Sequence, residues 1–189
     1  MGDKEQYFNY LKQRSVLGSI YRKYFLYPKL NYYLKGSMLD IGCGIGDMLA
    51  YRAHSIGVDV NEFNVEFCKL RGLDAHQMPL NTLPFLEGRF DSILLDNVLE
   101  HIEDPLPLLT EIKRVMRTNG VLLIGVPGVK GYASDLDHKV FYDESKLTEL
   151  ATKAGFSVKV SLHTPLWKCH LFSTLLKQYC IYTLWISND

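Results

Sequence analysis

The chain has 189 residues, 47% of them hydrophobic, enough to bury one core and too few for two ordinary domains. Its 21 Lys and Arg balance 21 Asp and Glu, and no basic stripe marks it as a dedicated nucleic-acid binder. Cys43, Cys68, Cys169 and Cys180 form no C-x-x-C pair, against a zinc site or a disulfide framework; the polar, aromatic N-terminus and the lack of an uncharged apolar run of about 18 residues predict a soluble, cytoplasmic protein.

In chain order, residues 1–36 are basic, with seven Lys or Arg against Asp3 and Glu5. Residues 4–35 read as one or two helices: Leu17, Ile20, Tyr21, Tyr24 and Phe25 fall at helical spacing, with Arg14, Arg22 and Lys23 interleaved. Strand-like and helix-like segments then alternate, which implies a parallel sheet. Strands are predicted at 37–41, 55–60, 73–78, 90–96, 120–126 and 156–162. In the helix after the fourth strand, Asp104 suits the N-cap and Pro105 the first turn, Leu109, Ile112 and Met116 form the inward stripe, and Asn119-Gly120 ends it. A second helix spans 143–154, starting at Asp143 and Glu144 and stopping before Gly155. After a short helical excursion at 166–178, residues 180–187 are expected to return as an edge strand.

The stretch "MLDIGCGIGDML" (38–49) carries the strongest signal. A strand that runs into glycines and then a helix presents bare N–H groups and the positive helix end to a ligand. The dinucleotide fingerprint requires glycine at position 47, where Asp47 stands, which disfavours a nicotinamide enzyme; no Lys follows Gly46 as a phosphate loop requires. The order Asp40-x-Gly42-x-Gly44-x-Gly46 resembles the first motif of class I S-adenosylmethionine-dependent methyltransferases. "FDSILLDNVLEHIEDP" (90–105) is similar to a stretch of the small-molecule members, and "DHKVFYDESKLTELATKAGF" (137–156) to the ending of O-methyltransferases acting on sugars, lipid precursors and quinones. No N-P-P-[YF] motif or Pro-Cys pair of the base-methylating classes is present.

The resemblance implies a doubly wound, mostly parallel, seven-stranded Rossmann-like α/β sheet with helices on both faces, as one domain over 37–189 under an N-terminal helical cap, 1–36. It implies S-adenosylmethionine as cofactor, held by Asp40, Gly42, Cys43, Gly44 and Gly46 of the loop. Asp59, beside Val60, would meet the ribose, Met78 and Leu80 the adenine, and Asp96 and Asn97 the methionine part. Pro79 stands where relatives place an adenine-binding Asp, so another acceptor is needed there. In ubiquinone-biosynthesis O-methyltransferases a cation is held by the equivalents of Glu100-His101 and an acidic residue three positions earlier; here that position is Asn97, so no metal is expected.

His101 and His138 are the catalytic candidates. His138 is expected either as the base that takes a hydroxyl proton or as a residue ordering its loop, with Asp137 and Tyr142 as flanking substrate contacts; His101 faces substrate or packs beneath the pocket. Glycines at 127–134 predict a mobile loop over the site. The expected partner is a small-molecule acceptor and no nucleic acid, with a membrane-surface contact or a homo-oligomer left open for the apolar stretch 165–180. The alternative to an enzyme is a non-catalytic cofactor-binding partner protein.

Overall fold

The computed structural model describes residues 3–13 and 15–188; Arg14, one of the interleaved basic residues, lies outside them. Seven strands form one sheet: β1 Met38–Ile41, β2 Ser55–Asp59, β3 Ala75–Gln77, β4 Phe90–Asp96, β5 Met116–Pro127, β6 Phe156–Thr164 and β7 Cys180–Ser187. Their order is β3-β2-β1-β4-β5-β7-β6, parallel except for β7, which runs antiparallel to both its neighbours. Residues 180–187 are therefore an interior strand, and the edge on that side is β6. With β7 rich in β-branched and aromatic residues, including the fully buried Tyr182 and Trp185, burial on both flanks is its stable position.

The β4 segment explains the layering. Successive side chains point to opposite faces, so Ile93 and Leu95 join one core and Leu94 another. The first core is completed by α6 (Leu106–Val115) and α8 (Glu144–Lys153), through Leu109, Ile112, Leu147 and Ala151. The second is covered by the N-terminal arm, whose Leu26, Tyr27, Leu30 and Leu34 pack over Met38, Leu94 and Leu123. That arm is two helical stretches, as the spacing predicts: α1 (Asp3–Lys12), then α2 (Val16–Tyr21), a π-helical turn (Arg22–Leu26) and α3 (Tyr27–Asn31) in unbroken succession. The remaining helices are α4 (Asp47–Tyr51), α5 (Glu62–Leu70), α7 (Val129–Tyr132) and α9 (His170–Leu175).

Three local expectations need correction. α6 ends at Val115, because Met116 turns extended and pairs with Phe90; Met116 and Asn119-Gly120 belong to β5, where the register jumps from Phe90↔Met116 to Ser92↔Val121. Pro105, not Asp104, is the N-cap of α6, with no side-chain cap bond, and Asp104 one residue earlier accepts the Leu106 N–H at 3.2 Å. The glycine-rich stretch 127–134 folds into α7, with Gly128 N–H bonded to the Tyr179 carbonyl at 2.7 Å. Asp143 caps α8 through the Lys146 N–H as expected. Among the described residues, no helix is long and apolar enough to cross a membrane, while Trp167, Leu171 and Leu175 of the apolar stretch are exposed.

Candidate functional site

The glycine loop sits at the carboxyl end of β1, the position where open α/β sheets bind ligands. Gly42, Gly44 and Gly46 all take left-handed backbone angles. A Cβ at Gly46 would lie 2.7 Å from Leu73 and 2.8 Å from Cys68, whereas one at Gly44 would meet nothing nearer than Leu11 at 3.4 Å. Gly46 therefore serves the turn into α4, and Gly44 leaves an open wall. Cys43 and Cys68, far apart in sequence, meet here as free thiols near the Gly44 carbonyl, Cys68 Sγ at 3.3 Å.

Asp59, at the end of β2, ties this loop down. Its Oδ2 accepts the Gly44 N–H at 2.8 Å and the Asn64 amide at 3.1 Å, and its Oδ1 accepts the Asn61 N–H at 2.8 Å. A carboxylate has about four acceptor positions; three are used, which leaves about one open. Burial pushes the Asp59 carboxyl above the usual range, against these bonds. Asp40 is buried beneath the loop, and burial, with Asp96 and Asp59 nearby, pushes its carboxyl well up.

A cavity of about 930 Å³ opens from this loop. Asp40, Gly42, Cys43, Gly44, Asp59, Val60, Met78, Leu80, Asp96, Asn97, His101, Asp135, Asp137 and His138 all line it. Gly46 stays outside the wall, and Tyr142 lies in the core behind it. Asn97 is held left-handed at the end of β4, and its amide donates to Asp96 Oδ1 at 2.9 Å. The same oxygen accepts the Tyr182 hydroxyl at 2.7 Å, reached from β7 across Gly125, where a Cβ would strike the Tyr182 ring.

His138 Nδ1 lies 2.8 Å from the Tyr132 carbonyl. A carbonyl only accepts, so Nδ1 carries the proton and Nε2 is the bare nitrogen of the neutral ring. Nε2 is 3.8 Å from Glu100 Oε1 and 4.0 Å from Asp135 Oδ2. The His101 ring stands edge-on to His138, 4.7 Å between centroids; burial and then the His138 charge hold its pKa below the usual range. Glu100 is fully buried with both carboxylate oxygens unpartnered, and burial raises its pKa to about 8. The ligand atoms of Glu100, His101 and His138 lie within 4.8 Å of one another. Acceptors that face one another this way need a proton, on Glu100 or on one of the imidazoles, or a cation between them. Asn97, turned to Asp96, takes no part.

Glycine loop, acidic strand ends and sheet order together make the Rossmann-like α/β fold that S-adenosylmethionine-dependent methyltransferases share. Residues 39–124, a little under half of the chain, match the family model described as a methyltransferase domain, and S-adenosylmethionine is the cofactor of that class. A Mycolicibacterium smegmatis protein named "Probable S-adenosylmethionine-dependent methyltransferase" is 30% identical over 150 residues, 72% of this chain and 58% of that protein. A ubiquinone biosynthesis O-methyltransferase from Dinoroseobacter shibae is 32% identical over 96 residues, 46% of this chain and 39% of that protein. The chain spans 44% to 58% of the length of the first curated relatives it matches. A crystal structure of a methyltransferase from Thermotoga maritima shares the fold, with a TM-score of 0.78 at 20% identity over 98% of this chain and 97% of its own.

The sequence names Glu100 beside His101 but does not show its full burial. Two participants escaped the sequence reading. Tyr182 comes from the last strand. Arg22 lines the cavity from the N-terminal arm, where it reads as one more interleaved cation.

Proposed function

We propose that this protein moves the methyl group of S-adenosylmethionine to a hydroxyl oxygen of a small-molecule acceptor, of the sugar, lipid-precursor or quinone kind. One observation carries the reading: the cavity that begins at the glycine loop also contains His101 and His138, so a cofactor and a proton acceptor share one chamber. The ubiquinone O-methyltransferase relatives support oxygen as the nucleophile.

The cofactor, when bound, supplies an electrophilic methyl group on a sulfonium. The open wall at Gly44 admits it and Asp59 keeps that wall in place. Met78 and Leu80 offer apolar surface for the adenine, and Asp96 and Asn97 polar atoms for the amino-acid end. His138 takes the acceptor proton at Nε2, the nitrogen left bare by the Tyr132 bond. The arm residues Tyr7, Tyr10, Leu11 and Tyr21 form an aromatic and apolar wall, which excludes water while an oxyanion meets the sulfonium. Alignment within such a chamber contributes on the order of 7 kcal/mol.

The test is transfer of labelled methyl to a panel of hydroxylated sugars, lipids and quinones, with wild type, His138→Ala and His138→Gln. Loss of the base should lower kcat/KM by about 10² to 10⁴ with cofactor affinity kept. Full turnover by folded variants removes His138 from this role. Cofactor binding with no transfer to any acceptor sends the protein to the non-catalytic reading.

A further inference from the structure

Two stretches of exposed apolar side chains flank the cavity, and their charge is one-sided. On the arm, Leu17, Ile20 and Tyr24 recur every three or four residues and face solvent, Leu17 being 78% exposed and the neighbouring Phe25 68%. The other flank of the same stretch, with Ser15, Gly18 and Tyr21, lines the cavity. After β6, Leu166, Trp167, Leu171 and Leu175 are exposed, and Lys177 and Gln178 line the cavity. The two stretches are joined: Lys29 Nζ donates to the His163 carbonyl at 3.0 Å, and the Tyr21 and Thr164 hydroxyls are hydrogen-bonded. Gln13, Ser15, Lys177 and Gln178 are exposed as well as cavity-lining, so part of the mouth opens between them. Between Glu5 and Asp40 the sequence holds Lys12, Arg14, Arg22, Lys23, Lys29 and Lys35 and no acidic residue. Between Glu149 and Asp189 it holds Lys153, Lys159, Lys168 and Lys177, again with none. The whole chain is neutral, so its acids lie elsewhere; the nearby Glu144 is already paired with Lys168.

A single exposed leucine is ordinary, but apolar side chains gathered at a cavity mouth and interleaved with cations mark a binding surface. We propose that these two stretches seat the protein on the surface of an anionic phospholipid bilayer, with the cavity mouth turned to the lipid. The lysines meet the anionic headgroups, while Leu17, Phe25 and Leu171 enter the boundary beneath them; Tyr24 and Trp167 have the apolar body and polar tip that suit this depth. Charge selects the bilayer over a second copy of the chain, since apposing two basic, acid-free surfaces is repulsive. An RNA would satisfy the lysines and leave the aliphatic Leu17, Ile20, Leu171 and Leu175 without partners. The inference deepens the function proposed above, on which its last step rests: the acceptor is an amphiphile whose hydroxyl-bearing head enters the cavity from the bilayer while its tail stays in the lipid.

Flotation of the full chain with vesicles of phosphatidylcholine, alone or with about one-third phosphatidylserine, tests the surface. Wild type should partition to the anionic vesicles at least about tenfold more strongly than to the neutral ones, and lose most of that preference at about 1 M salt. Leu17→Glu combined with Phe25→Glu should weaken partitioning by about tenfold or more, with S-adenosylhomocysteine affinity kept, since neither residue lines the cavity. Of the two tryptophans Trp185 is buried and Trp167 exposed, so a blue shift of emission, quenched by brominated lipid, reads the second stretch directly. Trp167→Phe should remove that shift. No flotation by wild type, or flotation with Trp167 unquenched, overturns the proposal. Self-association without flotation, dispersed by the double variant, gives the surface to a second copy; a Trp167 shift with single-stranded RNA and none with vesicles gives it to RNA. A chain that floats but binds no S-adenosylhomocysteine keeps the surface and loses the proposed function with its acceptor, whereas one that binds it and does not float loses this inference alone.

Discussion

Glu100→Gln isolates the charge at the base of the cavity. Its carboxyl is fully buried with neither oxygen partnered, and its pKa stands at about 8 against an ordinary 4.5. Between those two values the folded chain holds a proton that the unfolded chain has released, so stability falls as pH rises through that window and levels off above it. The displacement corresponds to roughly 4 to 5 kcal/mol at about 1.4 kcal/mol per pH unit; with water entering around the ionised group, about 3 kcal/mol is the expected loss. Glutamine is neutral throughout and removes this loss. Urea unfolding followed by the fluorescence of the buried Trp185, at intervals from about pH 5 to about pH 9, gives both stability curves. Wild type and Glu100→Gln should run close together at the acid end, and the variant should be more stable by about 3 kcal/mol at the alkaline end. Parallel curves refute the reasoning: they would mean that Glu100 is ionised in the folded protein, with some cation in place of the proton.

Other outcomes follow from the same geometry. Asp59→Asn turns one of the two accepting oxygens into a donor, so either the Asn61 bond or those to Gly44 and Asn64 are lost; it should cost about 3 kcal/mol of stability and at least tenfold in S-adenosylhomocysteine affinity, read by urea unfolding and calorimetry. Gly46→Ala places a methyl 2.7 Å from Leu73 at a left-handed position, with an expected loss of about 1–3 kcal/mol in thermal unfolding. Leu95→Ala empties a fully buried site in the sheet centre and should lose about 3 kcal/mol by the same measure. With a proton on Glu100, chelation by EDTA leaves methyl transfer unchanged; a loss restored by added Zn²⁺ would give the Glu100, His101 and His138 cluster to a cation instead.

The fold was legible where local chemistry and the final environment agree. The apolar run of β4 reads as a strand covered on both faces, and its neighbours do cover it. Gly42, Gly44 and Gly46 are legible because few other residues accept their backbone angles. β7 was recognisable as a strand, but its place was not, since composition says nothing about which neighbours a strand pairs with. Met116 misled because its helical spacing continues the α6 stripe while pairing with Phe90 prevails. In the site, motif residues were found and those that arrive from afar were missed: Tyr182 lies 86 positions from the Asp96 it bonds. Asp59 was placed at the site by the resemblance, yet the share of its bonding given to the chain's own loop could be counted only in three dimensions.

The interior position of β7 also shapes how the chain reaches this state. β6 and β7 pair along nearly their whole length and can form as a unit, whereas β5 and β6 are kept apart by a strand made after both. The growing chain must leave that slot open, with the β5 edge unpaired, until residues 180–187 arrive. Asp96, whose partner Tyr182 rides on that strand, acquires its final surroundings in the same step, so closing the sheet and finishing the pocket become one event. A chaperone or a neighbouring strand that filled the slot first would block both.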